Sequence, residues 1–463
     1  MPAIAIGLCS VLGVASSSVA LLQGALALSA ALLLCVVCFR APSFTIIALV
    51  VWLAVLATIR RMLLGAGAGG DQDVLLLVGP VTVGVLVAVG ARAGAFRSLT
   101  PLAKGVLVLS ALVTMSALNP LQGGPTVGLA GLLFVLVPML WFWIGRSVVD
   151  DRLLKVLLSI VAGLAVGGAV YGLFQVYRGF PTWDATWIEQ KGFISLRVGD
   201  AYRQFASFAS TTEYVGYLAI AALVWALRFR PGRVAPAAAA LALLTWALLL
   251  ASSRAILVLL PIALGAMFAA RRGYGLVKAL IMGMVGLAVL GALVSFAPGT
   301  LGGNRTSQLL ERQIEGLSDP LNDKVSTLPI HLQQLGAGLT NAIRNPIGQG
   351  VGSTTIAAEK FGGNTFSTET DPSNIAVALG IPGLAAYCFV VAASFMLAFR
   401  MARDRRDFLS LAALGILVVT SLQWLNGGNY AIAPFPWLVL GWLDQRRLKS
   451  TAPPPELQEQ VPR

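Results

Sequence analysis

Two arginines stand where an apolar chain tolerates charge poorly. Arg254, in Ser252-Ser253-Arg254, lies between two short apolar runs. An arginine at a membrane boundary is costly unless it is paired, faces a cavity or binds an anion. Its planar fork of donors suits phosphate oxygens. The bland alternative is a side chain that snorkels to the interface. Arg203 opens the hydroxyl-rich stretch Arg203-Gln204-Phe205-Ala206-Ser207-Phe208-Ala209-Ser210, just before a helix expected from Thr211. Amides at a helix N-terminus favour an anion. Glu213, in the first turn, suits a capping carboxylate that is also the ion-pair partner of Arg203.

Proton-transfer candidates are few. His331 is the only histidine and stands on the flank of an apolar stripe formed by Leu328, Leu332, Leu335, Leu339 and Ile343. A histidine is the natural proton acceptor near neutral pH, although a flank position equally suits an interfacial side chain. Glu369 and Asp371, in Thr368-Glu369-Thr370-Asp371-Pro372-Ser373-Asn374, precede another helix. They suit a general base, and they equally suit carboxylates favoured by the helix dipole.

Other motifs carry less chemistry. Asn345-Pro346-Ile347-Gly348-Gln349-Gly350-Val351-Gly352-Ser353 is glycine-rich like a phosphate loop but lacks the Gly-Lys-Ser/Thr ending, so a tight turn is the better expectation. Trp183-Asp184-Ala185-Thr186-Trp187 suits an aromatic interface anchor, or rings that stack on sugars. Cys35 and Cys38 form a C-x-x-C inside an apolar run, without the context of a redox or zinc site. One histidine and scattered acids give no metal-ligand spacing, so metal-independent chemistry without a cofactor is expected.

The elements that must position these residues are membrane helices. The 463-residue chain is 57% hydrophobic and 11% charged, against about 25% charged for a soluble domain. Apolar runs long enough to cross a bilayer recur throughout. The reading is all-α: a polytopic bundle of 12–14 spans. They are expected over 3–19, 22–39, 43–59, 73–91, 102–118, 126–145, 156–177, 211–227, 235–252, 255–270, 279–297, 373–399, 408–425 and 431–445. Pro434 and Pro436 are expected to break the last one.

The net charge of +13 does not imply nucleic acid, because the charges cluster between apolar runs. Alternate connections, from the one at Arg40 to the tail beyond Arg446, hold the basic clusters. By the positive-inside rule that side is cytoplasmic and holds both termini. Arg60 and Arg61 are exceptions that fall outside. The external side then carries a small loop at 178–210 and a long loop at 298–372. The leucine stripe makes the long loop a helical cap lying on the external membrane surface. N-terminal membrane helices occupy 1–297, C-terminal ones 373–445, and a polar, Pro-rich tail 446–463.

Together these residues resemble the O-antigen ligase and polymerase family of bacterial envelope glycosyltransferases. The resemblance spans roughly residues 100 to 445. It rests on Arg203 in RQFASFASTTEY, Ser253-Arg254 in SSRAILVLLPIALG, the long loop with NAIRNPIGQGVGS, and TETDPSNIAVALGIPGLAAY, in family order. It implies transfer of a polyprenyl-diphosphate-linked glycan at the outer face of the cytoplasmic membrane, with inversion at the anomeric carbon. Arg203 and Arg254 match the family's diphosphate-binding arginines, and Arg312 or Arg344 in the cap could assist. The expected partners are the lipid-linked glycan, the bilayer, and proteins that regulate chain length or flip the lipid. Many ligases carry His-Asn at the start of the helix after the cap; here the pair is Ser373-Asn374. That leaves His331, Glu369 or Asp371 as the base and favours a polymerase over a ligase. A transporter or flippase is the rival from another class, but no internal repeat supports it.

Overall fold

The structure is a computed structural model describing residues 19–68, 73–191, 196–229, 231–232, 234–295, 305–366 and 368–451. Its helices are α1 (Val19–Arg40), α2 (Pro42–Leu63), α3 (Val78–Arg92), α4 (Pro101–Ser116), α5 (Pro125–Ser147) and α6 (Asp151–Arg178). Next come α7 (Thr182–Lys191), the hairpin β1 (Arg197–Val198) and β2 (Ala201–Tyr202), α8 (Thr211–Leu227), α9 (Val234–Leu250), α10 (Arg254–Arg271) and α11 (Leu276–Ser295). The chain continues through α12 (Arg305–Ser318), α13 (Leu328–Arg344), α14 (Ile356–Lys360), α15 (Asp371–Arg405), α16 (Phe408–Val419) and α17 (Pro434–Thr451).

The fold is an all-α polytopic membrane bundle with a helical cap. Seven described helices are long and apolar enough to cross a membrane, and five more are apolar but shorter. All expected spans have a helical counterpart except 3–19, which lies outside the described residues, as does the tail from 452. Two boundaries need correction. The span expected over 408–425 stops at Val419, because the backbone amides of Trp424 and Leu425 turn aside to the Asp371 carboxylate. Pro434 does not break the last helix; it begins it, where a missing N–H costs nothing.

Helix ends gather on two faces. On one, Arg146 pairs with Asp444 at 2.9 Å, and Arg446 reaches Asp407 at 3.1 Å and Asp151 at 3.2 Å. This face collects the basic clusters that the charge pattern assigns to a single side. Towards it, α17 crosses α5 at close range. A side chain at Gly145 would meet the Leu438 carbonyl, and one at Gly441 the Phe142 carbonyl, so glycine lets the backbones touch.

The opposite face carries the cap, and here the exceptional arginines find partners. Arg60 pairs with Asp73. Arg61 is 1% exposed and pairs at 2.7 Å with Asp184, itself 0% exposed. Arg61 also donates to the carbonyls of Ala206 and Phe208, both at 2.6 Å. Tyr171 and Gln175 donate to the other oxygen of Asp184. The pair clamps α7 and the 203–210 segment onto α2. Arg61→Ala leaves a buried carboxylate without its countercharge, a loss of about 3–5 kcal/mol. The expected result is a clearly lower midpoint of thermal unfolding in detergent; an unchanged midpoint would contradict the clamp.

Helix α15 is broken at Gly380 (φ 65°), just before Pro382. The glycine-rich segment after α13 satisfies the interrupted backbone. The amides of Gln349 and Gly350 donate to the carbonyls of Val377 (2.8 Å) and Ala378 (3.0 Å), and the Ile381 amide donates to Pro346 (3.0 Å). A side chain at Gly380 would strike the Pro346 carbonyl. Such mutual satisfaction is what tolerates a broken helix at membrane depth. The glycine-rich motif therefore serves as a stitch, tying the cap to α15.

Candidate functional site

The first cluster gathers guanidinium groups from three separated segments. Arg203 follows β2, and its Nε donates to the Ala251 carbonyl at 3.0 Å. Arg254 begins α10, and its Nη2 donates to the Arg312 carbonyl of α12 at 3.2 Å. The Arg254 guanidinium lies directly over Gly316, where any side chain would collide with it. Burial, then the charges of Arg312 and Arg254, pull the Arg203 guanidinium down to about 10. It remains a cation at neutral pH, but one held among like charges.

Local backbone explains the convergence. Ser252 adopts φ 50° between α9 and α10, a left-handed conformation that a serine rarely takes. That turn brings the Ala251 carbonyl to Arg203 and sets Arg254 at the first position of α10. Polar groups on these same segments carry buried atoms without a protein partner: the Ser252 hydroxyl, the Arg254 Nε and both side-chain polar atoms of the buried Gln313. Buried polar atoms cost free energy unless something satisfies them. Together with three cations, the donors among them suit an oxyanion, with the Glu315 carboxylate as the acid that also acts on Arg254.

Glu213 is not the partner of Arg203. Its amide donates to the Ser210 hydroxyl at 3.1 Å, while its carboxylate accepts from Ala209 at 2.9 Å and from the Ala431 amide. This reciprocal arrangement resembles a capping box that also anchors the start of α17. The tryptophans of the first loop do not reach outward as anchors. Trp183 donates to the Tyr171 hydroxyl, and Trp187 packs on Phe205 and beneath the Arg61 guanidinium.

The second cluster lies between α13 and the start of α15. His331 Nδ1 stands 3.3 Å from a Glu369 carboxylate oxygen. Helix α13 turns one face to α15, where Gly338 sits so close to Ser373 that a side chain would clash. Helical spacing puts His331, Gln334, Gly338 and Asn341 on that face. The side-chain carbonyl oxygens of Gln334 and Asn341 are shielded there without a protein donor. The leucine stripe points elsewhere: Leu332 is 52% and Ile343 73% exposed. It packs on no core and presents an apolar edge beside the bundle.

Asp371 and Arg344 join neither cluster. Asp371 is fully buried, and its carboxylate accepts from the Trp424 and Leu425 amides and from the Tyr387 hydroxyl at 3.2 Å. It pins the segment after α16, a structural task that leaves it poorly placed to take a substrate proton. Arg344 is an exposed cation in the last turn of α13, favourable against the helix dipole and about 20 Å along the helix from His331.

Sequence reasoning missed Gln313, Ser252, Gln334 and Asn341, which carry no charge signature. It also missed α12, although Arg305, Leu309, Arg312 and Gly316 recur at helical spacing. Among the described residues, no group of three His, Cys, Asp or Glu side chains could hold a metal. No family model matches the chain, and no curated protein matches it.

Proposed function

We propose that the chain is a membrane glycosyltransferase that polymerises polyprenyl-diphosphate-linked oligosaccharide repeat units at the external face of the cytoplasmic membrane. The observation that carries this reading is the convergence of Arg203, Arg254 and Arg312 from three segments, beside buried polar groups that lack protein partners. A sugar leaving a diphosphate develops negative charge on the bridging oxygen. Preorganised cations stabilise that charge in the transition state.

The His331–Glu369 pair supplies the second half of the chemistry. With Nδ1 3.3 Å from the Glu369 carboxylate, the other imidazole nitrogen is left to take the proton of an acceptor hydroxyl. The hydroxyl oxygen then attacks the anomeric carbon. The bond from that carbon to the diphosphate breaks, and the polyprenyl diphosphate departs with the bonding electrons. The departure at Ser373-Asn374 from the His-Asn of many ligases favours polymerisation over ligation. The exposed leucine stripe suits an α13 that lies in the membrane interface.

The direct test uses purified protein in lipid nanodiscs with the lipid-linked repeat unit extracted from its host. A ladder of products that depends on Arg254 supports polymerisation. Unchanged donor, with the same extract consumed by host membranes, overturns it. Orientation has its own check. In a cysteine-free background, a cysteine at Leu321, which is 70% exposed, is expected to react with impermeant maleimide in intact cells. Reaction only after the membrane is breached would reverse the topology.

A further inference from the structure

A cavity of about 260 Å³ lies between the end of α6, α7, the β1–β2 hairpin and α12. None of the roles assigned above uses it. Its chemistry-bearing lining is Phe180, Glu189, Asp200, Tyr202 and Arg305, with Leu309 beside them. We propose that this cavity is a saccharide subsite that seats a sugar carried on the diphosphate. The inference rests on the transferase reading for the identity of the attached lipid. The recognition of a sugar rests on the cavity itself.

Position is the first argument. Arg305 and Leu309 line the cavity, whereas the Arg312 carbonyl accepts from Arg254 and Gly316 lies beneath the Arg254 guanidinium. These four residues follow at intervals of four, three and four, so one face of α12 passes from the cavity to the arginines. From Leu309 to Arg312 the axial step is about 4.5 Å. Tyr202, on the cavity wall, immediately precedes Arg203. A sugar attached to a diphosphate held by the arginines lies within reach of this cavity.

Chemistry is the second. The rings of Phe180 and Tyr202 meet edge to face at 6.2 Å, which leaves aromatic surface for the C–H face of a sugar ring. The carboxylates of Glu189 and Asp200 accept from hydroxyls, and Arg305 donates to them. Two carboxylates against one guanidinium disfavour a second phosphate or an acidic sugar. A neutral or amino sugar fits the balance. The volume lies just below the roughly 300–1,000 Å³ typical of small-ligand clefts, which suits a single ring.

Rigidity is the third. The Gln175 amide at the base of the cavity donates to Asp184 at 2.8 Å and accepts from the amides of Phe205 (3.2 Å) and Ala206 (2.9 Å). Phe180 stacks on Phe205 at 5.3 Å, and the Asp200 amide donates to Gln308 of α12 at 3.1 Å. The base and the aromatic side of the wall are therefore held before any ligand arrives, which lowers the cost of ordering them.

The test places a photoreactive p-benzoylphenylalanine at Tyr202 in the full chain, in its host's membranes, with Leu321 as an exposed control position. Irradiated protein is digested and its adducts are weighed. The expected adduct at position 202 carries hexose or hexosamine mass increments together with polyprenyl diphosphate. It falls at least tenfold in the Arg254→Ala background and is absent at position 321. A saccharide adduct that lacks polyprenyl diphosphate and is indifferent to Arg254 upholds the subsite and overturns the transferase reading. Capture of sugar-free polyprenyl diphosphate, a phospholipid or a peptide overturns the subsite, as does a yield no higher than at position 321 from a protein with wild-type thermal midpoint.

Discussion

Arg254→Ala is expected to lower glycan transfer by about 10²–10³-fold, the range seen when one preorganised donor to a developing anion is removed. The chain should still insert and keep its thermal midpoint, because Arg254 is only half-buried and holds a single backbone carbonyl of α12. Arg254→Lys should recover little, since an ammonium cannot reproduce the planar fork. Gly316→Leu offers an independent probe. It keeps every charge but forces a side chain into the space of the Arg254 guanidinium. Its transfer rate should therefore fall towards that of Arg254→Ala. The measurement is single-turnover transfer in nanodiscs beside equilibrium binding of the donor. Wild-type transfer by Arg254→Ala would remove the diphosphate role. A normal rate in Gly316→Leu would mean that the packing of α12 on Arg254 does not matter to the chemistry.

The parts of the fold and site that were legible in the sequence are those where a local rule decides. A helix over 211–227 follows from apolar length, and the structure keeps those bounds with Ser210 as its cap. Arg203 and Arg254 stand out because charge in so apolar a chain needs a reason. What escapes depends on contacts between distant segments. The last turns expected of α16 are lost to Asp371, about fifty residues earlier in the chain. Arg60 and Arg61 violate the charge pattern until Asp73 and Asp184 are seen beside them. The GIPG and NPIGQG motifs are unremarkable separately, yet each satisfies the backbone of the other. Gln313 is invisible to charge and periodicity arguments, because a neutral polar side chain acquires meaning only from what surrounds it.

His331→Ala is expected to slow transfer by about 10²–10⁴-fold, the usual contribution of a positioned general base. Donor affinity should change little, because the arginine cluster is built from other segments. Glu369→Gln should cost less, since it keeps the shape of the side chain and removes only the charge facing Nδ1. The informative variant combines both. If Glu369 acts only by orienting and polarising His331, the double substitution is no slower than His331→Ala alone, because residues that act as a unit are not additive. Multiplying losses would mean that Glu369 touches the acceptor in its own right. A merely structural role for the pair predicts a different pattern, with weaker donor binding, a lower thermal midpoint and a transfer defect in proportion. Asp371→Asn supplies the reference for that pattern. Its carboxylate holds two backbone amides and a tyrosine hydroxyl in a fully buried position, so its loss should destabilise the junction of α15 and α16 before it touches the chemistry. Rates that fall without any change in midpoint for His331→Ala, set beside a lowered midpoint for Asp371→Asn, would separate the proton acceptor from the structural pin two residues beyond its carboxylate partner.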